Sequence, residues 1–420
     1  MSDPQATHQA IGAIWRMEAP KVIATLTRLV RDVGLAEELA QDALVAALEQ
    51  WPTEGVPDKP AAWWVATAKR RGIDRIRHEQ MQARKHAMLG QDLLEEATTM
   101  PDFDAAVEDD IGDDLLRLIF IACHPVLSTD ARLALTLRLL GGLSTDEIAR
   151  AFLVPEPTIA QRIVRAKRTL SAAQVPFEVP PAAERTQRLS SVLEVIYLIF
   201  NEGYAATTGE DWMRPELCSE AQRLGRVLAR LVPGDSEVFG LLALMELQAS
   251  RLRARTAADG RPVLLPDQDR RRWDPLLIRR GLEALEQAEA LGGVLGPYAL
   301  QAAIAACHAR AAHAEQTDWA RITALYDALM TVAPTPVVAL NRAVAVAMAF
   351  GPEAGLPLVD ALGDDPAMQR YPLLPAVRGD LLCRLQRFDE AREAFLQAAA
   401  LTRNQREQTL MMERAAACRR

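Results

Sequence analysis

Apolar residues recur along this chain at helical spacing, and the pattern is sharpest between residues 143 and 170. Ser144 and Glu147 have the S-x-x-E spacing of a capping box, with Leu143 and Ile148 placed as a hydrophobic staple. Ile148 and Phe152 then fall on one face of a short helix. Leu153-Val154-Pro155 ends it, because a residue before proline is pushed out of the helical region. Pro157 suits the first position of a second helix, where a missing N–H costs nothing. From there Ile159, Ile163, Ala166 and Leu170 form an apolar stripe, while Thr158, Gln161, Arg162, Arg165 and Arg168 share a polar, cationic face. Two short helices around a tight turn, the second one basic, predict a helix-turn-helix whose second helix enters a DNA major groove. Arg matches guanine and Gln matches adenine in bidentate fashion, each good pair discriminating by about 1–3 kcal/mol. A surface helix with merely solvated arginines has a similar composition, but the cap, turn and second helix in tandem favour DNA.

Upstream, the periodicity predicts helices from Trp15 to Val33, Ala36 to Gln50 and Lys59 to Met88, with the Pro/Gly-dense loop 51–60 before the third. In that third helix Trp64, Ala68, Ile73 and Ile76 sit among Lys69, Arg70, Arg71, Arg75 and Arg77. A cationic helix preceded by Trp63 and Trp64 is a platform for phosphates and unstacked bases. Both tryptophans also suit a core; adjacent helical residues diverge by about 100°, so one is expected inside and the other nearer the surface. Residues 89–112 are acidic, lack Lys and Arg and contain Pro101 and Gly112, which predicts a linker. Helices resume at Asp113, break at His124–Thr129 and continue from Asp130 to Leu140. A second, Pro-rich linker follows Leu170. The remaining residues are Ala/Leu-rich and helical. There Ala343, Gly355, Val359 and Leu362 recur, offset by 36, as Gly379, Ala391, Phe395 and Ala398. That is the small-residue and aromatic pattern of tetratricopeptide repeats, with 298–334 a looser copy and no regular repeat evident in 187–297.

At 420 residues the chain predicts two to four domains, and its 50% apolar content excludes global disorder. Cys123, Cys218, Cys307, Cys383 and Cys418 are scattered singly, so neither a disulfide framework nor a zinc finger is indicated. No apolar run approaches a membrane span and no signal peptide opens the chain, which favours a reducing cytoplasm. The net charge of −8 looks wrong for a nucleic-acid binder until it is partitioned. Residues 1–177 carry 20 basic and 25 acidic side chains, but ten of those acids lie between Asp92 and Asp114. The DNA-facing helices therefore stay locally basic.

Together these residues resemble a bacterial RNA polymerase sigma factor of the extracytoplasmic-function (ECF) type, in the group with a long tetratricopeptide-like C-terminal extension. The match is most specific at FLVPE-x-T-x-AQR-x-VRAKR. The resemblance implies an all-α protein: sigma region 2 at 1–90, an acidic linker at 91–112, region 4 at 113–172, a Pro-rich linker at 173–186 and a helical TPR-like extension at 187–420. It implies that Glu37, Glu38, Gln41, Asp42 and Leu44 bind the clamp helices of core polymerase, with region 4 on the flap. Leu44 stands where an aromatic is common in the family. Trp63, Lys69, Arg70, Arg71, Arg75 and Arg77 would contact and open the minus-10 element, and loop 51–60 would capture a flipped base. Thr158, Gln161, Arg162, Arg165 and Arg168 would read minus-35 DNA. The acidic linker would thread the polymerase channels as a nucleic-acid mimic; a solvated tether explains the same composition.

No catalytic residue, metal site or cofactor is expected. The chain has no phosphate-binding Gly loop, nucleophile motif or metal-spaced cluster, and its partners would be core polymerase and promoter DNA, with no membrane. The extension is expected to contact the sigma domains and regulate them in cis. A helix-turn-helix activator with a repeat-type sensor domain is the alternative, but it leaves residues 10–90 without a role. Asn201–Tyr204 and Asp267–Asp274 invite a ligand-site reading, although a turn and a solvated helix start explain them as well.

Overall fold

The computed structural model describes residues 4–72, 111–152, 154–205, 213–257, 261–402 and 404–418. Arg75, Arg77 and residues 91–110 of the acidic linker lie outside them. The described residues are all-α, apart from an isolated bridge between Thr256 and Pro262. None of their helices is long and apolar enough to cross a membrane. The chain divides into two compact units, residues 1–195 and 196–420.

In the first unit, α1 (Pro4–Val30) is followed by α2 (Val33–Glu54) and a helix over 60–72, here α3. The break between α1 and α2 comes earlier than the periodicity predicts. Arg31 adopts a left-handed φ of 54°, and the Asp32 carboxylate caps α2 by accepting from Leu35 N at 2.8 Å. α2 also runs further than expected, through Trp51 and Pro52, which shortens the predicted loop 51–60 to 55–59. Burial of Trp51 explains the extra turn: it is 2% exposed and packs against Trp64.

Helices α4 (Ile111–Ala122), α5 (Thr129–Leu139), α6 (Thr145–Phe152) and α7 (Glu156–Ala172) complete this unit, with α4 packed on α1 and both α5 and α6 packed on α7. Gly142, at φ 64°, turns the chain from α5 toward α6, a conformation that costs glycine nothing. The division between the units falls within α8 (Ala182–Tyr204), whose first half belongs to the first unit. There Ser191 donates to Cys123 O at 2.7 Å, Arg188 to Phe120 O at 3.0 Å, and Arg132 pairs with Glu194 at 3.0 Å.

The second unit is a chain of antiparallel helices, each packed on its sequence neighbour: α9 (Pro215–Leu231), α10 (Ser236–Ala249), α11 (Pro275–Ala290), α12 (Pro297–Arg310), α13 (Trp319–Val332), α14 (Pro336–Phe350), α15 (Pro352–Asp360), α16 (Leu373–Arg384), α17 (Phe388–Leu401) and α18 (Gln405–Ala417). Its apolar clusters succeed one another along the sequence. One is centred on Leu244, Leu285 and Ala302, the next on Ile304, Ile322 and Leu329, and the last on Leu340, Val359, Leu381 and Phe395. Local cores of that kind are what stacked repeats build. The 36-residue offset falls on α14/α15 and α16/α17, where Gly355 lets α15 close on Ala343 and Ala347, and Gly379 admits the ring of Phe395. Across α10 and α12, Glu237 accepts from Tyr298 N and Ala299 N at 2.8 and 3.0 Å, capping α12 from a neighbouring helix.

The five cysteines are free thiols, and the fold brings two of them together across 35 residues: the thiols of Cys383 and Cys418 lie 3.3 Å apart, with burial and Cys418 pushing the Cys383 thiol up to about 11.

Candidate nucleic-acid interface

The helix-turn-helix forms from the signals in its sequence. Ser144 N donates to Glu147 Oε2 at 2.8 Å and Glu147 N to Ser144 Oγ at 3.1 Å, a reciprocal capping box. α7 buries Ile159, Ile163, Ala166 and Leu170. That orientation leaves Gln161, Arg165 and Arg168 exposed and Thr158 and Arg162 half-buried on the opposite side. Arg162 is engaged with Asp130 at 2.9 Å, an exposed pair of the kind worth about 0–1 kcal/mol, which a guanine could replace. The sequence reading missed Val164, 45% exposed between Gln161 and Arg165. An apolar side chain there suits a thymine methyl.

The second basic surface is α3. Trp64 is fully buried against Trp15 and Trp51, with ring centroids 5.0 and 4.8 Å away, while Trp63 is half-buried and edge-on to Trp51 at 5.2 Å. The tryptophans thus divide as their adjacency requires, one inside and one at the surface. Arg70 is exposed on the same helix, and Arg71 donates to Asp42 O at 2.7 Å, tying α3 to α2.

The five residues expected to meet polymerase do not share one face of α2. Glu38 and Asp42 are exposed, in line with Val45, which is 50% exposed. Glu37, only 3% exposed, points instead into the seam with α5 and α7, where Arg138 reaches it at 2.6 Å and Lys167 closes a second ion pair. Gln41 donates to the same carboxylate at 2.7 Å, and Leu44 is half-buried. Nothing in the sequence pairs Glu37 with cations more than 100 residues away. A second buried carboxylate, Asp114 of α4, receives Arg28 of α1 at 2.9 Å and Arg117 at 2.8 Å. Beside this seam lies a cleft of about 690 Å³ lined by Arg28, Arg31, Val33, Lys167 and Phe177, among others.

Among the described residues, no group of three or more His, Cys, Asp or Glu side chains is arranged to hold a metal ion. A helix-turn-helix and a second basic helix on one small helical unit place the chain in the class of candidate DNA-binding proteins.

Comparison with known proteins gives that class its family. Residues 14–81 match sigma-70 region 2, residues 117–170 match sigma-70 region 4, and residues 188–289 match a family of unknown function, DUF6596. The ECF RNA polymerase sigma factor SigK of Mycobacterium ulcerans (strain Agy99) is 29% identical over 154 residues, 36% of this chain and 78% of its own. The probable ECF RNA polymerase sigma factor SigI of Mycobacterium tuberculosis (strain CDC 1551 / Oshkosh) is 25% identical over 184 residues, 42% of this chain and 60% of its own. An uncharacterized protein of Rhizobium meliloti (strain 1021), R00370, is 45% identical over 390 residues, 92% of this chain and 90% of its own, so it shares the extension as well. The solved structure of yeast Tom70 aligns with 99% of this chain and 85% of its own at a TM-score of 0.31 and 11% identity, too loose a likeness to define the fold. The chain belongs to the ECF RNA polymerase sigma factors that carry a long helical C-terminal extension.

Proposed function

We propose that this sigma factor directs core RNA polymerase to specific promoters by reading minus-35 DNA with α7 and minus-10 DNA with α3 and Trp63. The observation that carries the reading is the outward row Gln161, Val164, Arg165 and Arg168, opposite the apolar stripe that fixes α7. Those residue types offer bidentate donors and a methyl contact along one groove. Core polymerase would dock on the Glu38, Asp42 and Val45 face of α2. Glu37 and Gln41 would become available only when region 4 leaves α2, so opening of this closed arrangement on polymerase is part of the proposal. Lys167, held by Glu37 in this form, would be free for a phosphate after opening.

A regulatory role in cis for the extension is part of the proposal. Its support is that Arg188, Ser191 and Glu194, which lie inside the DUF6596 match, are bonded to residues of region 4. Arg132→Ala with Arg188→Ala in the full chain is expected to change promoter output; unchanged output and unchanged polymerase affinity would count against cis control.

The decisive test is transcription from the protein's own upstream DNA by core polymerase with and without the full chain. Specific initiation only in its presence supports the reading. Strong promoter binding by the free protein, with no gain in initiation, would favour an activator instead.

A further inference from the structure

Two polar segments of the second unit, Asn201–Tyr204 and Asp267–Asp274, were expected to be a turn and a solvated helix start. Asp274 does cap α11, accepting from Leu276 N at 2.9 Å, and Asp269 caps the exposed turn at Arg271, but Tyr204, Arg270 and Trp273 turn to other partners. Both segments converge on Arg251. Its guanidinium donates to Tyr204 Oη at 2.7 Å and lies 5.8 Å from the Tyr204 ring and 5.7 Å from the Trp273 ring. Arg255 stacks on Tyr204 at 3.6 Å, and Arg270 stacks on Trp273 at 4.8 Å. Arg270 is further held by the carbonyls of His308 and Ala311, the latter at 2.6 Å, and by the Thr317 hydroxyl at 3.1 Å.

Among the described residues, neither Arg251 nor Arg270 forms an ion pair with a carboxylate, although Glu315 acts on Arg270 from beyond ion-pair distance. Both are half-buried, and withdrawing a guanidinium from water without a paired carboxylate costs more than stacking on a ring returns. Polar atoms around them are also unsatisfied. Trp273 is 5% exposed and its Nε1–H has no acceptor; Gln268 is 8% exposed and its Oε1 has no donor; Arg270 Nε and His308 Nδ1 are buried without partners. Native interiors rarely leave such atoms orphaned, least of all several together. Burial, with Arg251 and Arg270 nearby, pushes His308 down to about 3, so its ring stays neutral.

We propose that Arg251, Gln268, Arg270 and Trp273, with Tyr204 and Arg255 as the wall, form a binding site for a small oxyanion, a carboxylate or phosphate group on a free, metabolite-sized ligand. Arg251 and Arg270 supply the charge, and Arg270 Nε and Trp273 Nε1 supply directed donors. Gln268 Oε1 accepts from an O–H or N–H of the ligand. The unsatisfied atoms are too deeply buried for a polymer backbone to reach, which favours a free small molecule over an acidic peptide or a nucleic acid. This site belongs to the extension alone and does not depend on the promoter reading.

The test is thermal unfolding of the full chain, without polymerase, at ionic strength held constant with sodium chloride. Inorganic phosphate, which carries a P–OH donor, and succinate, a dicarboxylate, are the probes. One of them is expected to raise the unfolding midpoint saturably, and the one that does so identifies the oxyanion class. The shift is expected to vanish in Arg251→Gln. No saturable shift from either probe, or an equal shift in Arg251→Gln, overturns the proposal. Should that variant not fold, Arg251→Lys makes the same comparison: half-saturation at least five-fold weaker supports the site, and unchanged half-saturation overturns it.

Discussion

A seam of the first unit and a cluster of the second handle buried charge in different ways. In the first, Glu37 and Asp114 each sit between two cations drawn from different helices, and Glu246 of the second unit, paired with Arg226 at 2.7 Å, is compensated in the same way. In the second, Arg251 and Arg270 are laid on aromatic faces and bonded to neutral acceptors. A compensated cluster is a fastening, since removing one side leaves the other stranded. A cluster of cations without paired carboxylates is, in the proposal above, completed by an oxyanion from outside.

The contrast predicts different responses to neutral substitution. The largest effect is expected from Arg138→Met with Lys167→Met, which strands a carboxylate whose side chain is 4% exposed. A loss of about 3 kcal/mol from the closed form is expected, read as a lower denaturant midpoint. Small-angle scattering should also show expansion as region 4 leaves α2, and an unchanged profile would mean the seam is held by apolar packing instead.

Acid is expected to have the next largest effect, on the extension. A histidine whose folded pKa is depressed binds its proton more readily when unfolded, so stability is present above the unfolded value of 6.5 and is lost as pH falls toward about 3. A loss of about 2.7 kcal/mol by pH 4.5 is expected. His308→Phe should flatten that slope, and an identical slope in the variant would assign the acid sensitivity to other groups.

Ser144→Ala removes one half of the capping box and is expected to cost about 1 kcal/mol, with weaker minus-35 binding, measured by chemical denaturation and by promoter retention with polymerase. The smallest effect is expected from Arg251→Met in the absence of ligand, within about 1 kcal/mol of the parent, because the cation it removes has no opposite charge to strand. A loss as large as that of the Arg138 and Lys167 pair would erase the distinction between the units.

The parts legible in the sequence are those encoded over short spans. The capping box at Ser144 and Glu147, the α7 stripe and the outward Gln161, Arg165 and Arg168 needed only helical geometry to be placed. The repeat pairs from 336 to 398 were readable because Gly355 meets Ala343 and Ala347, and Gly379 meets Phe395, between adjacent helices. The earlier part of the extension hid its pattern because the described residues between α10 and α11, 250–257 and 261–274, form only short turns and interrupt the spacing. Helix ends were misjudged where a single residue decides them, Arg31 by its left-handed backbone and Trp51 by burial.

By itself the sequence determined that the chain is helical, that α7 carries a cationic face opposite its packing stripe, and that the family is that of sigma factors. Caps, periodicity and motif strings are local, and local signals survive without a fold. Only the tertiary structure decided that Glu37 faces Arg138 and Lys167 and not outward with Glu38 and Asp42. Only it decided that Tyr204, Arg251, Arg270 and Trp273 form one cluster. Helical periodicity says which face of a helix is polar. Whether that face meets water, an opposite charge or another cation depends on partners that lie tens of residues away in sequence.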